Sequence, residues 1–192
     1  MTSYGWLIFA LWCALVAYWG LATHAARRAI GGRWIWWREI AVRLGFFALV
    51  VLALQVARIG HVLPNARLDV LNTSLRMGRI GCALAVLGIG LAILGRDYLS
   101  RSRAMPMLNE EGPELVTTGP YAFVRHPIYG GLLLAMLGSA IGQSVLWLLP
   151  LLVYAPHFIR SARREEQRLR ERFPERYRTY MKHTKMLLPF VI

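Results

Sequence analysis

The sequence predicts an all-α integral membrane protein in which five transmembrane helices lead into a short helical tail. Three observations predict it: the 192 residues are 56% apolar, the apolar residues come in blocks rather than at one-face spacing, and arginines gather between the blocks. A chain of this length fits one membrane domain, residues 1–192.

The first block, Tyr4 to Thr23, holds twenty uncharged residues, about 30 Å of helix and so a match to the hydrocarbon core. It reads as a retained span (4–23) rather than a signal peptide. No basic n-region precedes it, its apolar part exceeds a usual h-region, and Arg27 and Arg28 follow it, despite an A-x-A-like stretch near His24.

Span two is expected at 40–59, with Arg43 and Arg58 lengthening the uncharged Leu44 to Ala57 by snorkelling. Span three is expected at 79–95, where Gly81, Ala85, Gly88 and Ala92 form a small-residue face for close helix contact.

From Ile128 to Ile159 no residue is charged unless His157 is protonated, and those thirty-two residues would make about 48 Å of helix, too long for one upright span. The stretch must turn. Gly142, Gln143 and Ser144 supply the break, giving a helical hairpin of arms 128–141 and 145–159, with Pro150 and Pro156 able to bend the second arm.

Orientation follows from the arginines. Arg27, Arg28, Arg33 and Arg38 make the first loop cytoplasmic, and the tail (160–192) carries ten Lys/Arg against four Glu. An even number of crossings must separate them, which spans two and three plus the hairpin satisfy. The N-terminus is therefore expected outside, and the 96–127 segment and the tail share the cytoplasmic face. The Arg58 to Arg79 loop is also basic and falls outside.

A formal charge of +13 could suggest nucleic acid, but arginines placed between apolar blocks meet anionic headgroups instead. Arginine outnumbers lysine 21 to 2, which with short loops points to a bacterial inner membrane. Cys13 and Cys82 lie within apolar blocks, far apart and without metal-ligand spacing, so both are expected as packed thiols, with no metal or redox site.

Two ionic clusters stand out. The first is Gly119 to Gly131, GPYAFVRHPIYGG, which sets Arg125 and His126 before Pro127, a good first residue for the next helix. That helix start, with its unpaired N–H groups, favours a carboxylate. The second is Arg163 to Tyr180, RREEQRLRERFPERYRTY, a charged helix leaving the last span. It places Glu165, Leu169 and Phe173 on one stripe, with Pro174 starting a second short helix.

Each part has a plain alternative. Arg125 and His126 serve equally as a headgroup anchor, and the glutamates as neutralisers of Arg163, Arg164 and Arg168. Tyr177 and Tyr180 are expected as interfacial belt aromatics.

Together, GPYxxxRHPxYxG, a hairpin, and EExxLxxxFxxxYxxY resemble the isoprenylcysteine carboxyl methyltransferase family and the related membrane phospholipid methyltransferases, over roughly Leu94 to Pro189. The resemblance implies S-adenosylmethionine, bound on the cytoplasmic side by Pro113, Glu114, Leu115, Val116, Tyr121, His126, Pro127, Ile128, Tyr129 and Glu165. It implies a lipid-like or prenylated acceptor arriving from the bilayer. A carboxylate acceptor would be positioned by Arg125 or Arg160, whereas an amine would call for a base such as Glu166. No strand with a G-x-G-x-x-G turn is present, which excludes a soluble Rossmann-type enzyme.

Two positions depart from the family pattern. Ser161 stands where an arginine is usual, with Arg160 and Arg164 beside it, and Pro174 stands where a glycine is usual. The rivals are an NADPH-dependent membrane reductase of the sterol type, whose arginine, cysteine and tryptophan tail pattern is missing here, and a non-enzymatic module binding anionic lipid.

Overall fold

The computed structural model describes residues 3–30, 74–101 and 115–187, with side chains of the first stretch described through Ala22. They form helix α1 (Ser3–Ile30), α2 (Leu75–Arg101), α3 (Pro127–Gly142), α4 (Leu148–Arg172) and α5 (Pro174–His183), with 3-10 turns at Gly119–Ala122 and Val145–Trp147. The described residues are all-helical apart from one isolated parallel bridge between Val124 and Lys185. Ser3–Ala22, Leu75–Arg101 and Val145–Arg172 are long and apolar enough to cross a membrane, and Pro127–Gly142 is a shorter apolar helix. The expected span 40–59 and the basic residues Arg33 and Arg38 lie outside the described residues.

Helices α2 and α3 form the centre of the fold because glycine lets their backbones touch. A Cβ on Gly88 would stand 2.5 Å from the Gly131 carbonyl oxygen and 2.5 Å from the Ala135 amide, and one on Gly138 2.5 Å from the Ala85 amide. The small-residue face read from the sequence is the buried one: Gly81, Ala85, Gly88 and Ala92 are all covered.

Helix α1 is fastened across this pair at both ends. At one end the Trp12 indole donates to Ser139 Oγ at 3.0 Å and stacks on Trp147 at 4.9 Å. Gln143 donates to the Gly5 carbonyl at 3.0 Å and accepts from the Trp147 indole at 2.6 Å. Buried polar groups satisfied in this way cost little and fix helix register. At the other end Tyr18 hydrogen-bonds Asp97, while the Arg96 guanidinium lies over the Tyr18 and Trp19 rings at 5.3 and 5.4 Å.

The break expected after α3 is present. Helix α3 ends at Gly142, and Ser144 Oγ accepts from the Leu146 amide, capping the 3-10 turn. Pro150 occupies the first turn of α4, where a missing N–H is harmless, and α4 continues through Pro156. Helices α3 and α4 then lie side by side, with Tyr129 stacked on Phe158 at 5.0 Å. Pro174 opens α5 as expected. Of the two thiols, Cys82 is buried, but Cys13 is on the exposed side of α1, so the expectation of a packed thiol holds for one of them.

Candidate active site

The site is built by the connection into α3, the tail part of α4, and the chain after α5. Gly119 turns the connection with φ 61°, a conformation that L side chains rarely adopt. A Cβ there would also meet the Tyr98 ring at 2.6 Å. The 3-10 turn that follows buries Tyr121, whose hydroxyl donates to the Gly95 carbonyl at 3.3 Å and ties the connection to α2. Leu115 and Val116 lead into this turn half-buried; Pro113 and Glu114 lie outside the described residues.

The chain after α5 returns alongside the same connection. The Arg125 amide donates to the Lys185 carbonyl at 2.8 Å and the His126 amide to the Met186 carbonyl at 3.0 Å. The Arg125 guanidinium also donates to the Thr184 carbonyl. This backbone pairing is possible because Gly130 has no side chain where the Leu187 carbonyl passes. Met186 and Leu187 bury with Ala162 against Tyr129, Leu133 and Ile159.

The two ionic clusters meet here. Arg125 Nε donates to Glu166 Oε1 at 2.7 Å, with both side chains largely buried. His126 stands between the two glutamates, Nε2 3.5 Å from Glu166 Oε1 and Nδ1 3.7 Å from Glu165 Oε2. Arg170 Nη2 lies 3.6 Å from the other Glu166 oxygen. Burial pushes the Glu166 carboxyl upward, but His126 and Arg125 outweigh it and hold the group below its ordinary value.

The neighbouring glutamates are therefore unlike. Glu166 is locked, whereas the Glu165 side chain is 52% exposed and touches only the edge of the cluster. Glu165 was the one expected on the inward stripe with Leu169 and Phe173, but α4 turns Ala162 and Glu166 inward instead. Nor is Glu166 a neutraliser of Arg163, Arg164 or Arg168: its principal partner is Arg125.

His126 caps α3, and Pro127 fills the first helical position. The His126 ring stacks on Tyr129 at 5.6 Å, Ile128 lies half-buried beside it, and Nε2 is buried without a hydrogen-bond partner. Arg160 is not brought into the cluster. It is exposed on α4, six residues and so about 240° of helix rotation from Glu166.

Tyr177 and Tyr180 are not belt aromatics. Tyr177 is 1% exposed, and the Tyr180 hydroxyl donates to the Tyr121 carbonyl at 2.6 Å, holding α5 against the connection. Burial raises both phenols, that of Tyr180 to about 12, so the Tyr180 proton remains in place through the physiological range. These tyrosines, Thr184 and Met186 escaped sequence reasoning as site builders. The available signal was the inward run Ala162, Glu166, Leu169, Phe173, Tyr177, which continues at helical spacing across the Pro174 junction.

A family model described as phospholipid methyltransferase matches residues 77–176, from α2 into the start of α5, which includes Arg125, His126, Glu165 and Glu166 but not the chain after α5. The chain belongs to the phospholipid methyltransferase family. Phospholipid methyltransferases form one group of membrane methyltransferases with the isoprenylcysteine carboxyl methyltransferases.

Among curated relatives, the cobalt-zinc-cadmium resistance protein CzcN of Cupriavidus metallidurans is 33% identical over 108 residues, 55% of this chain and 48% of that protein. The nickel-cobalt-cadmium resistance protein NccN of Alcaligenes xylosoxydans xylosoxydans is 29% identical over 153 residues, 77% of this chain and 64% of that protein. The chain thus spans about half to two thirds of their length. No solved structure matches it.

Proposed function

We propose that this membrane methyltransferase uses S-adenosylmethionine at the cytoplasmic membrane face to methylate a lipid-like or lipidated acceptor arriving from the bilayer. The observation that carries the reading is the meeting of His126, in its HP-x-Y turn, with the glutamate pair of the tail.

The residues fit the cofactor. Its sulfonium cation calls for an acid, its polar end for hydrogen-bonding groups, and its adenine for an aromatic or apolar slot. Glu165 is an exposed acid beside the cluster, His126 Nε2 is a buried polar atom whose nearest acceptor, Glu166 Oε1, stands 3.5 Å away without forming a hydrogen bond, and Tyr129 with Phe158 supplies stacked rings. Pro113, Glu114, Leu115, Val116, Tyr121, Pro127 and Ile128 complete the proposed wall. When bound, S-adenosylmethionine supplies a methyl group on a sulfonium cation.

In this reading Arg125 and Glu166 hold the connection against the tail and so position His126. With its carboxylate bonded to Arg125 and its pKa lowered, Glu166 is a weak base. That supports an acceptor that reaches the site already deprotonated, as a carboxylate does at pH 7. Arg160 would reach such an acceptor only from the outer side of α4. We favour a bacterial lipid-like acceptor over a prenylated protein.

The membrane arrangement belongs to the same proposal: five crossings, the last two a hairpin of α3 and α4, with the N-terminus outside and the tail in the cytoplasm of a bacterial inner membrane. The test is equilibrium binding of S-adenosylmethionine in detergent. His126→Ala, Tyr129→Ala and Glu165→Gln should each weaken binding, while Tyr4→Phe should not. Unchanged affinity in all three site variants would leave His126 a headgroup anchor.

A further inference from the structure

The outer face of α4 carries a second concentration of charge, apart from the His126 cluster. Arg160, Arg164, Arg168 and Arg172 recur every fourth residue and all lie within about 60° of the direction opposite Glu166. All four are exposed. Arg160, Arg164 and Arg168 make no ion pair among the described residues, and like charges one helical turn apart repel. A stripe of this kind suits an anionic complement outside the helix.

Helix length says what that complement is. In the membrane arrangement proposed above, on which this reading rests, α3 and α4 both cross the bilayer. Helix α3 has 16 residues, about 24 Å. The uncharged part of the second arm, the turn Val145–Trp147 followed by Leu148 to Ile159, is also about 24 Å. Both fall about 6 Å short of a hydrocarbon core of roughly 30 Å.

About four more residues of α4 make up the difference, which sets the hydrocarbon boundary near Arg164. The headgroup layer beyond it, about 5 to 8 Å deep, then reaches Arg168. Arg160 lies just below the boundary, from which its side chain extends outward to the phosphates.

We propose that the Arg160, Arg164 and Arg168 face of α4 is a docking surface for the phosphate headgroups of anionic lipids, with Arg172 at its outer limit. Lipid bound there fixes the depth of α4. Because Glu166 lies on the opposite side of the same two turns, it also holds the His126 cluster at the level of the headgroups. A soluble acidic segment is the less suited occupant, since the lower half of the stripe lies at or below the headgroups.

The test is lipid selectivity of the full chain in phosphatidylcholine bilayers containing a minority of phosphatidylglycerol, read from spin-labelled versions of each lipid. Wild type should prefer phosphatidylglycerol, and the preference should fall with added salt. The variant Arg164→Gln/Arg168→Gln should lose a factor on the order of fivefold or more, while Arg176→Gln/Arg178→Gln, with the same charge removed from α5, should keep most of it.

Equal loss in both variants would reduce the stripe to general positive charge and overturn the proposal. So would stripe-dependent capture of a labelled oligoglutamate peptide by the bilayer-embedded protein without lipid preference. S-adenosylmethionine binding measured in the same bilayers separates the two readings. Its absence from wild type would sink the cofactor assignment and leave the lipid surface standing.

Discussion

Glu166 and Arg125, 41 positions apart in the chain, meet at 2.7 Å, and each is the other's reason for being inside the protein. The pair joins the tail of α4 to the connection that carries His126. Removing one member leaves a buried charge without its partner, which costs more than the pair itself contributes.

Arg125→Ala should therefore destabilise the protein by about 3 kcal/mol, read as a lower melting temperature in detergent. Glu166→Gln should cost less, because a neutral amide is cheaper to bury than a lone carboxylate. Equal melting of wild type and Arg125→Ala would show that the pair holds nothing.

Acid should expose the same contact. The folded Glu166 pKa lies below its ordinary value of 4.5, so its contribution is present above that value and lost as pH falls through the folded pKa. Between pH 5 and about pH 3 the melting temperature of wild type should fall more steeply than that of Glu166→Gln. Parallel curves would assign acid sensitivity to other groups.

The glycines of α2 divide into two kinds. Gly88→Ala places a methyl group against the backbone of α3 and should cost about 1–3 kcal/mol. Gly90 has nothing within 4 Å of the corresponding position, so Gly90→Ala should be neutral or stabilising by up to about 1 kcal/mol. Thermal aggregation of the detergent-solubilised variants ranks them directly.

The two tail tyrosines should respond in opposite senses. Tyr180→Phe removes the bond to the Tyr121 carbonyl and should cost about 1 kcal/mol, with weaker cofactor binding if Tyr121 lines the site as proposed. The buried Tyr177 hydroxyl has no hydrogen-bond partner, so Tyr177→Phe should leave stability unchanged or raise it. Loss of cofactor affinity without loss of stability in Tyr177→Phe would place that hydroxyl in the ligand site.

Crossing number is checked by cysteines introduced singly into a cysteine-free chain in sealed cells. Positions near Arg33 and Arg176 should be shielded from an impermeant thiol reagent, and one near Asp69 should react. Opposite accessibility of Arg33 and Arg176 would remove the hairpin.

Much of this was legible in the sequence because it depends on side-chain size or backbone chemistry. Gly81, Ala85, Gly88 and Ala92 could only mark a close helix contact, Gly142 to Ser144 a break, and Pro174 a helix start. Which glutamate turns inward was not legible. That is set by the rotation of α4, and a shift of one residue swaps Glu165 for Glu166. The return of the chain after α5 was hidden for another reason: Lys185 and Met186 contribute carbonyl oxygens, which every residue has. Tyr177 and Tyr180 were misplaced because interfacial and buried tyrosines share one composition.

Contact between the backbones of α2 and α3 also constrains traffic. Where Gly88 meets Gly131 there is no room for even one methyl group, so that seam is closed to a hydrocarbon chain. A long-tailed molecule bound for His126 must pass along another flank. Leu149, Leu152 and Val153 are exposed on α4, away from that seam.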